Sequence, residues 1–106
     1  MANNANATNP PVLTIATTDY PAILADMSAV LAVGETISSV ETRLQVVAQF
    51  NRLIKLPDSP VLASPEVTQK VKGSLLTVGQ SCLLIWILTL SSGDIISQQT
   101  TIACPY

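Results

Sequence analysis

"CLLIWILTL", residues 82 to 90, holds a single polar side chain, Thr89, in nine positions. A strand turns successive side chains to opposite faces, so this run places apolar groups on both. It is followed by "SSGD", residues 91 to 94, a Gly-containing turn, and then by a second strand-like run from Ile95 to Ile102. The pair reads as a β-hairpin. Its two strands are not equivalent: the first is apolar throughout, whereas "IISQQTTIA" is polar in its middle. The first strand is expected at the centre of a sheet, the second beside it with one face in water. If Leu84, Trp86 and Leu88 face the core, then Leu83, Ile85 and Ile87 face away from it, or the reverse. Burying each such aliphatic side chain is worth about 1.5–3 kcal/mol, and a bare stripe of them invites aggregation. The second set therefore needs cover. A symmetric homo-oligomer interface, or a local flap such as residues 20 to 33, would supply it.

Working outward from the hairpin, "VTQKVKG" (67–73) alternates, with Val67, Gln69 and Val71 on one side and Thr68, Lys70 and Lys72 on the other. That is a strand with one wet face. "SLLTVGQS" is a connection that turns at Gly79. "LPDSPVLASPEV" carries three prolines within ten residues, too many for a helix interior; it reads as a loop with a short edge strand at Val61–Ala63. Further upstream, "PVLTIATTDY" suits a strand. Two segments are ambiguous between helix and strand. In 22–32 the residues Ile23, Leu24, Met27, Val30 and Leu31 recur at helical spacing. In 38–50, Ser38 and Glu41 mimic a capping box while β-branched Thr36, Ile37, Val40 and Thr42 favour a strand. Residues 1–11, rich in Asn and Ala and ending in Pro10-Pro11, read as a flexible or extended arm that is ordered only against something else. The remainder, 12–106, is one domain, the size that 106 residues support.

Composition narrows the function classes. Hydrophobic residues make up 48% and charged residues 11%, against about a quarter charged in ordinary soluble domains. Polar uncharged side chains or bound partners must therefore cover much of the surface. Net charge is −2, and the five basic residues, Arg43, Arg52, Lys55, Lys70 and Lys72, form no cluster. Nucleic-acid binding is not expected. The apolar run is too short for a spanning helix, which needs about 20 residues, and the chain lacks strands for a closed membrane barrel. No membrane association is expected. The N-terminus shows neither a basic nor an apolar signal region, so the Asn6-Ala7-Thr8 sequon reads as accidental.

Catalytic templates find no support. There is no histidine, which removes Ser-His-Asp and Cys-His pairs. The seven acidic residues are scattered singly, and no Gly-Lys-Ser/Thr phosphate loop is present. Cys82 and Cys104 cannot complete a zinc site without imidazole or further thiols. Neither a metal nor a cofactor is expected. The two cysteines lie nearly opposite each other in a simple hairpin, so a disulfide is conceivable beside the reading as two small buried thiols. Trp86 and Phe50 read as core side chains. Tyr20 and Tyr106 are flanked by a turn and by the end of the sequence, and suit an interface.

With these elements placed, "DY" (19–20), "MSAVLAVGETISSVE" (27–41) and "VTQKVKGSLLTVGQSCLLIWILTLSSGDIISQQTTIAC" (67–104) together resemble small proteins encoded among the head genes of tailed phages. The likeness rests on the Leu31-x-x-Gly34-Glu35-Thr36-Ile37-Ser38-Ser39 stretch before one strand, and on the glycine-punctuated block that leads into the last. It departs from the pattern where Val40, Glu41 and Thr42 stand in place of a tryptophan after "ISS", and where Cys82 replaces an aromatic residue. The resemblance implies an all-β, immunoglobulin-like antiparallel β-sandwich that decorates or cements a virion, and it tips 38–48 towards strand.

The resulting expectation is a capsid cement or decoration protein on the phage head surface, made in the host cytoplasm and without enzymatic activity. Its expected partners are the major capsid protein and itself, as a homotrimer or homodimer. Leu83, Ile85, Ile87, Tyr20, Tyr106, Pro10 and Pro11 are the candidate contact residues. A neck or tail adaptor is the alternative. A small carbohydrate-binding sandwich is a third reading, for which Tyr20, Trp86 and Tyr106 would have to be exposed.

Overall fold

Residues 3–6, 13–46 and 52–105 are described by a computed structural model. Its strands are β1 (Asn3–Asn6), β2 (Leu13–Thr14), β3 (Ala22–Asp26), β4 (Ile37–Val46), β5 (Arg52–Ile54), β6 (Val61–Ala63), β7 (Glu66–Lys70), β8 (Gln80–Leu90) and β9 (Ile95–Cys104). They form two sheets, β1-β3-β7-β6 and β2-β9-β8-β4-β5, packed as an all-β sandwich. Short 3-10 turns at Ser28–Val30 and Gly73–Leu75 are the helical elements among the described residues.

The apolar run becomes β8, flanked on both sides by long antiparallel partners. It pairs with β9 from Gln80–Cys104 to Thr89–Ile95 and with β4 from Val46–Cys82 to Ile37–Leu90. The hairpin turn is closed by Gly93, at φ 95°, whose N–H donates to Leu90 O at 2.9 Å. Cys82, Leu84, Trp86, Leu88 and Leu90 all point inward and are buried. They meet Ile23, Ala25, Val67 and Val71 of the opposite sheet and its margin. Trp86 is fully buried, and its indole Nε1 donates to Thr100 Oγ1 at 3.0 Å.

Both ambiguous segments are resolved by pairing. Residues 22–26 form β3, antiparallel to β7, and only Ser28–Val30 turns helically. The 38–50 segment is strand through Val46; its last four residues, Phe50 included, lie outside the described residues. Ile37 and Val40, three residues apart, lie opposite Leu90 and Leu88, both inward residues of β8. The register with β8 shifts between Ile37 and Ser39, a bulge that inserts an extra residue and lets positions three apart share a face. Beyond it, Thr42, Leu44 and Val46 alternate inward normally.

Other expectations need adjusting. The flap proposed for 20–33 does not lie over β8, because β3 belongs to the other sheet. Among the described residues, the strand expected from "PVLTIATTDY" reduces to Leu13–Thr14, continued by Ile15, whose N–H donates to Ala103 O at 2.9 Å. Within the 1–11 segment, Asn3–Asn6 run parallel to β3 as a sheet edge. Cys82 and Cys104 do not oppose each other: Cys82 pairs with Ile102 and Cys104 with Gln80. Both are buried, and burial, with the neighbouring Cys104 second, pushes the Cys82 thiol up.

Gly73 marks a close backbone crossing between the β7–β8 connection and the β2–β3 loop. Its N–H donates to Asp19 O at 2.8 Å, and a Cβ there would sit 2.0 Å from Ala16 O and 2.8 Å from Asp19 O. The obstacles are backbone atoms, which cannot swing aside as a side chain would. Gly73→Ala is expected to cost about 2–3 kcal/mol, at the upper end of overpacking effects. Urea denaturation followed by Trp86 fluorescence measures it, and a loss below about 0.5 kcal/mol, the range of neutral surface changes, would contradict the crossing.

Candidate partner interface

Because β8 is central, the side chains it turns away from the core lie along the middle of the outer face of its sheet. The cross-strand registers define that face row by row. Leu83 lies between Gln45 and Thr101, Ile85 between Arg43 and Gln99, Ile87 between Glu41 and Ser97, and Thr89 between Ser39 and Ile95. Leu53 of β5 extends the first row past Gln45. Leu83, Ile85 and Ile87 are half-buried. Their partial cover comes from the neighbouring side chains in each row, since no element of the chain among the described residues is layered over this sheet. Leu53 and Ile95 stand 56% and 69% exposed at opposite corners.

The two outer faces differ in chemistry. The β3-β7-β6 sheet turns Asp26, Glu66 and Lys70 outward, around a central row in which Thr68 lies between Leu24 and Val61. The β8 face has two charges in its rows, Glu41 and Arg43, both on β4. They pair with each other at 3.7 Å, and Arg43 also donates to Thr42 O at 2.7 Å. Neither was assigned to this face from the sequence. The bulge at Ile37–Ser39 hides the alternation that would have assigned them to the same face as Ile85 and Ile87.

Tyr20 is not part of this face. Its hydroxyl donates to Asp58 Oδ2, and the Lys70 ammonium sits 4.7 Å from its ring centroid. The Asp58 hydrogen bond holds the phenol above its ordinary pKa, with desolvation second. Behind this contact lies a buried polar bridge between the sheets. Thr42 Oγ1 donates to Gln69 Oε1 at 2.5 Å, and Gln69 Nε2 donates to Asp58 O and Lys70 O, each at 2.9 Å. The loop 55–60 so anchored borders a cleft of about 440 Å³ over Val40–Arg43 of β4. Tyr106, Pro10 and Pro11 lie outside the described residues. Trp86, buried in the core, is not placed to stack on a sugar.

Among the described residues no three His, Cys, Asp or Glu side chains gather as a metal site, and no helix is long and apolar enough to cross a membrane. No family model, curated protein or solved structure matches the chain.

Proposed function

We propose that this chain is a structural protein of a phage virion, an immunoglobulin-like sandwich that cements the head by binding between major capsid subunits and associates with itself as a homotrimer or homodimer. The observation that carries this reading is the outer β8 face: a Leu-Ile-Ile stripe on the central strand, with two charges in its rows and, among the described residues, no layer over it. Such a face is suited to protein contact, where charged residues are depleted at the centre. The strand order supports the immunoglobulin-like part. With β3 to β9 taken as B, C, C′, D, E, F and G, the sheets read B-E-D and G-F-C-C′, the arrangement of that sandwich class. The parallel pairing of β1 with β3 is individual to this chain.

Cementing requires no chemistry. A protein that binds the assembled shell and not its dissociated subunits stabilises the shell by mass action. Particles stripped of the protein should release DNA at a lower temperature than intact ones, and adding back the purified chain should restore the difference. Unchanged release, or a copy number of a dozen or fewer per particle in electron micrographs where cement requires hundreds, would overturn the assignment.

A further inference from the structure

We infer that the outer β8 face pairs with the same face of a second copy, about a two-fold axis lying between the sheets and perpendicular to the strands at the level of Thr42 and Trp86. This deepens the interface part of the proposed function and rests on it, but not on the virion assignment. Stacked sheets keep their strands within about 30° of one another, so two axes are open to a face-to-face dimer. An axis along the strands would lay β4 over the partner's β9. That sets Glu41 and Arg43 against Ser97 and Gln99, covering both charges without a new ionic partner. An axis across the strands lays β4 over its own copy in the reverse direction. Centred midway between residues 41 and 43, it sets Arg43 against Glu41 of the partner subunit, and Glu41 against the partner's Arg43. The same operation places Ile85 on Ile87 of the partner subunit and Leu83 on the methyl-bearing Thr89 of the partner subunit.

The charge content of the face supports this choice. An isologous interface must be complementary to itself, and these rows carry one acid and one base, two residues apart on one strand. A face with charges of a single sign would repel its copy. Both side chains have room to re-aim, being 67% and 33% exposed for Glu41 and Arg43. The footprint sets the strength. Four strands about 4.8 Å apart and seven residues rising about 3.4 Å each present on the order of 450 Å², below the roughly 800 Å² per partner of a standard stable complex. The dimer is accordingly a weak one, in the micromolar range, and its charge pairs act mainly as selectors of geometry.

Sedimentation equilibrium on the full chain, at tens to hundreds of micromolar, tests this with charge reversals. Glu41→Arg and Arg43→Glu should each weaken dimerisation at least about tenfold, because each places like charges face to face. Both are surface changes, and far-UV circular dichroism checks that the fold is kept. Mixing the two variants should restore dimers at wild-type strength, since two arginines then face two glutamates; the double reversal in one chain should do the same. Ile85→Gln should weaken association in every combination. Dimers indifferent to the reversals, or no rescue on mixing, would overturn this geometry while leaving the face an interface. A wild-type chain monomeric at all concentrations that still binds phage heads would overturn the dimer and leave the virion reading standing. Charge-rescued dimers without affinity for heads would do the opposite.

Discussion

Trp86→Ala is expected to reduce the stability of the domain by about 4–6 kcal/mol, enough to leave much of the chain unfolded if its total lies at the low end of the usual 5–15 kcal/mol. Truncating a buried aromatic residue to alanine costs about 3–5 kcal/mol through lost transfer energy and the cavity left behind. Trp86 is fully buried in the central strand, with β4 and β9 on its flanks, so the surrounding sheet has little freedom to close the space. The indole also satisfies the Thr100 hydroxyl, which is itself buried at 2% exposure. Leaving that group unpaired adds about 1 kcal/mol or more. Trp86→Phe separates the two contributions, since it keeps most of the volume and removes the donor; its cost should be less than half as large. As this is the single tryptophan of the chain, the variants must be followed by circular dichroism in urea and not by fluorescence. A loss below about 1 kcal/mol for Trp86→Ala, less than the removal of a single methyl-sized group can cost in a core, would show that the outward and inward sets on β8 are exchanged.

The second large effect concerns the polar bridge inside the sandwich. Gln69 is fully buried on β7, where its neighbours in the alternation, Val67 and Val71, are core residues. It is tolerated there because all three of its described hydrogen bonds are made, one to the opposite sheet through Thr42 and two to backbone carbonyls. Gln69→Leu should cost about 2–4 kcal/mol, since it leaves the Thr42 hydroxyl and the Asp58 carbonyl short of a partner in a desolvated site. Thr42→Val alone should cost about 1–2 kcal/mol, removing one bond and stranding the Gln69 Oε1. The double variant should be less destabilised than the sum of the two by about 0.5–1.5 kcal/mol, because two facing apolar groups leave no orphan between them. Additive costs would mean that the contact between Thr42 and Gln69 carries no coupling, and that the sheets are joined by apolar packing alone. The loop consequence is separate. Without Gln69, Asp58 loses an anchor, and protease cleavage within 55–60 should accelerate.

The hairpin was legible in the sequence because its signals are short-range: a doubly apolar run, a glycine turn and a polar-centred return strand lie within 25 residues of each other. The alternation of 67–72 was equally plain, and Val67, Gln69 and Val71 are indeed the buried set. Residues 36–46 were harder to read. Ser38 and Glu41 imitate a capping box there, and a bulge at Ile37–Ser39 shifts the phase of the alternation. The 20–33 segment could be seen to be apolar, but not to which sheet it belonged. The cysteines, expected nearly opposite each other, stand two residues out of register.

The candidate interface divides in the same way. That β8 must carry a second apolar set followed from composition alone, because no strand of that length can hide nine successive side chains on one face. Which set faces the core, and that Glu41, Arg43, Gln45, Gln99 and Thr101 frame the other, depended on registers between strands forty residues apart. Sequence alone determined that this protein is a β-sheet with a doubly apolar centre and that it holds no histidine, since chain periodicity and residue chemistry are local properties. Tertiary structure alone decided the phase of that centre, the neighbours that flank it and the charges at its rim, because register, bulges and sheet membership arise from long-range hydrogen bonding, on which a strand's own pattern of polar and apolar residues is silent.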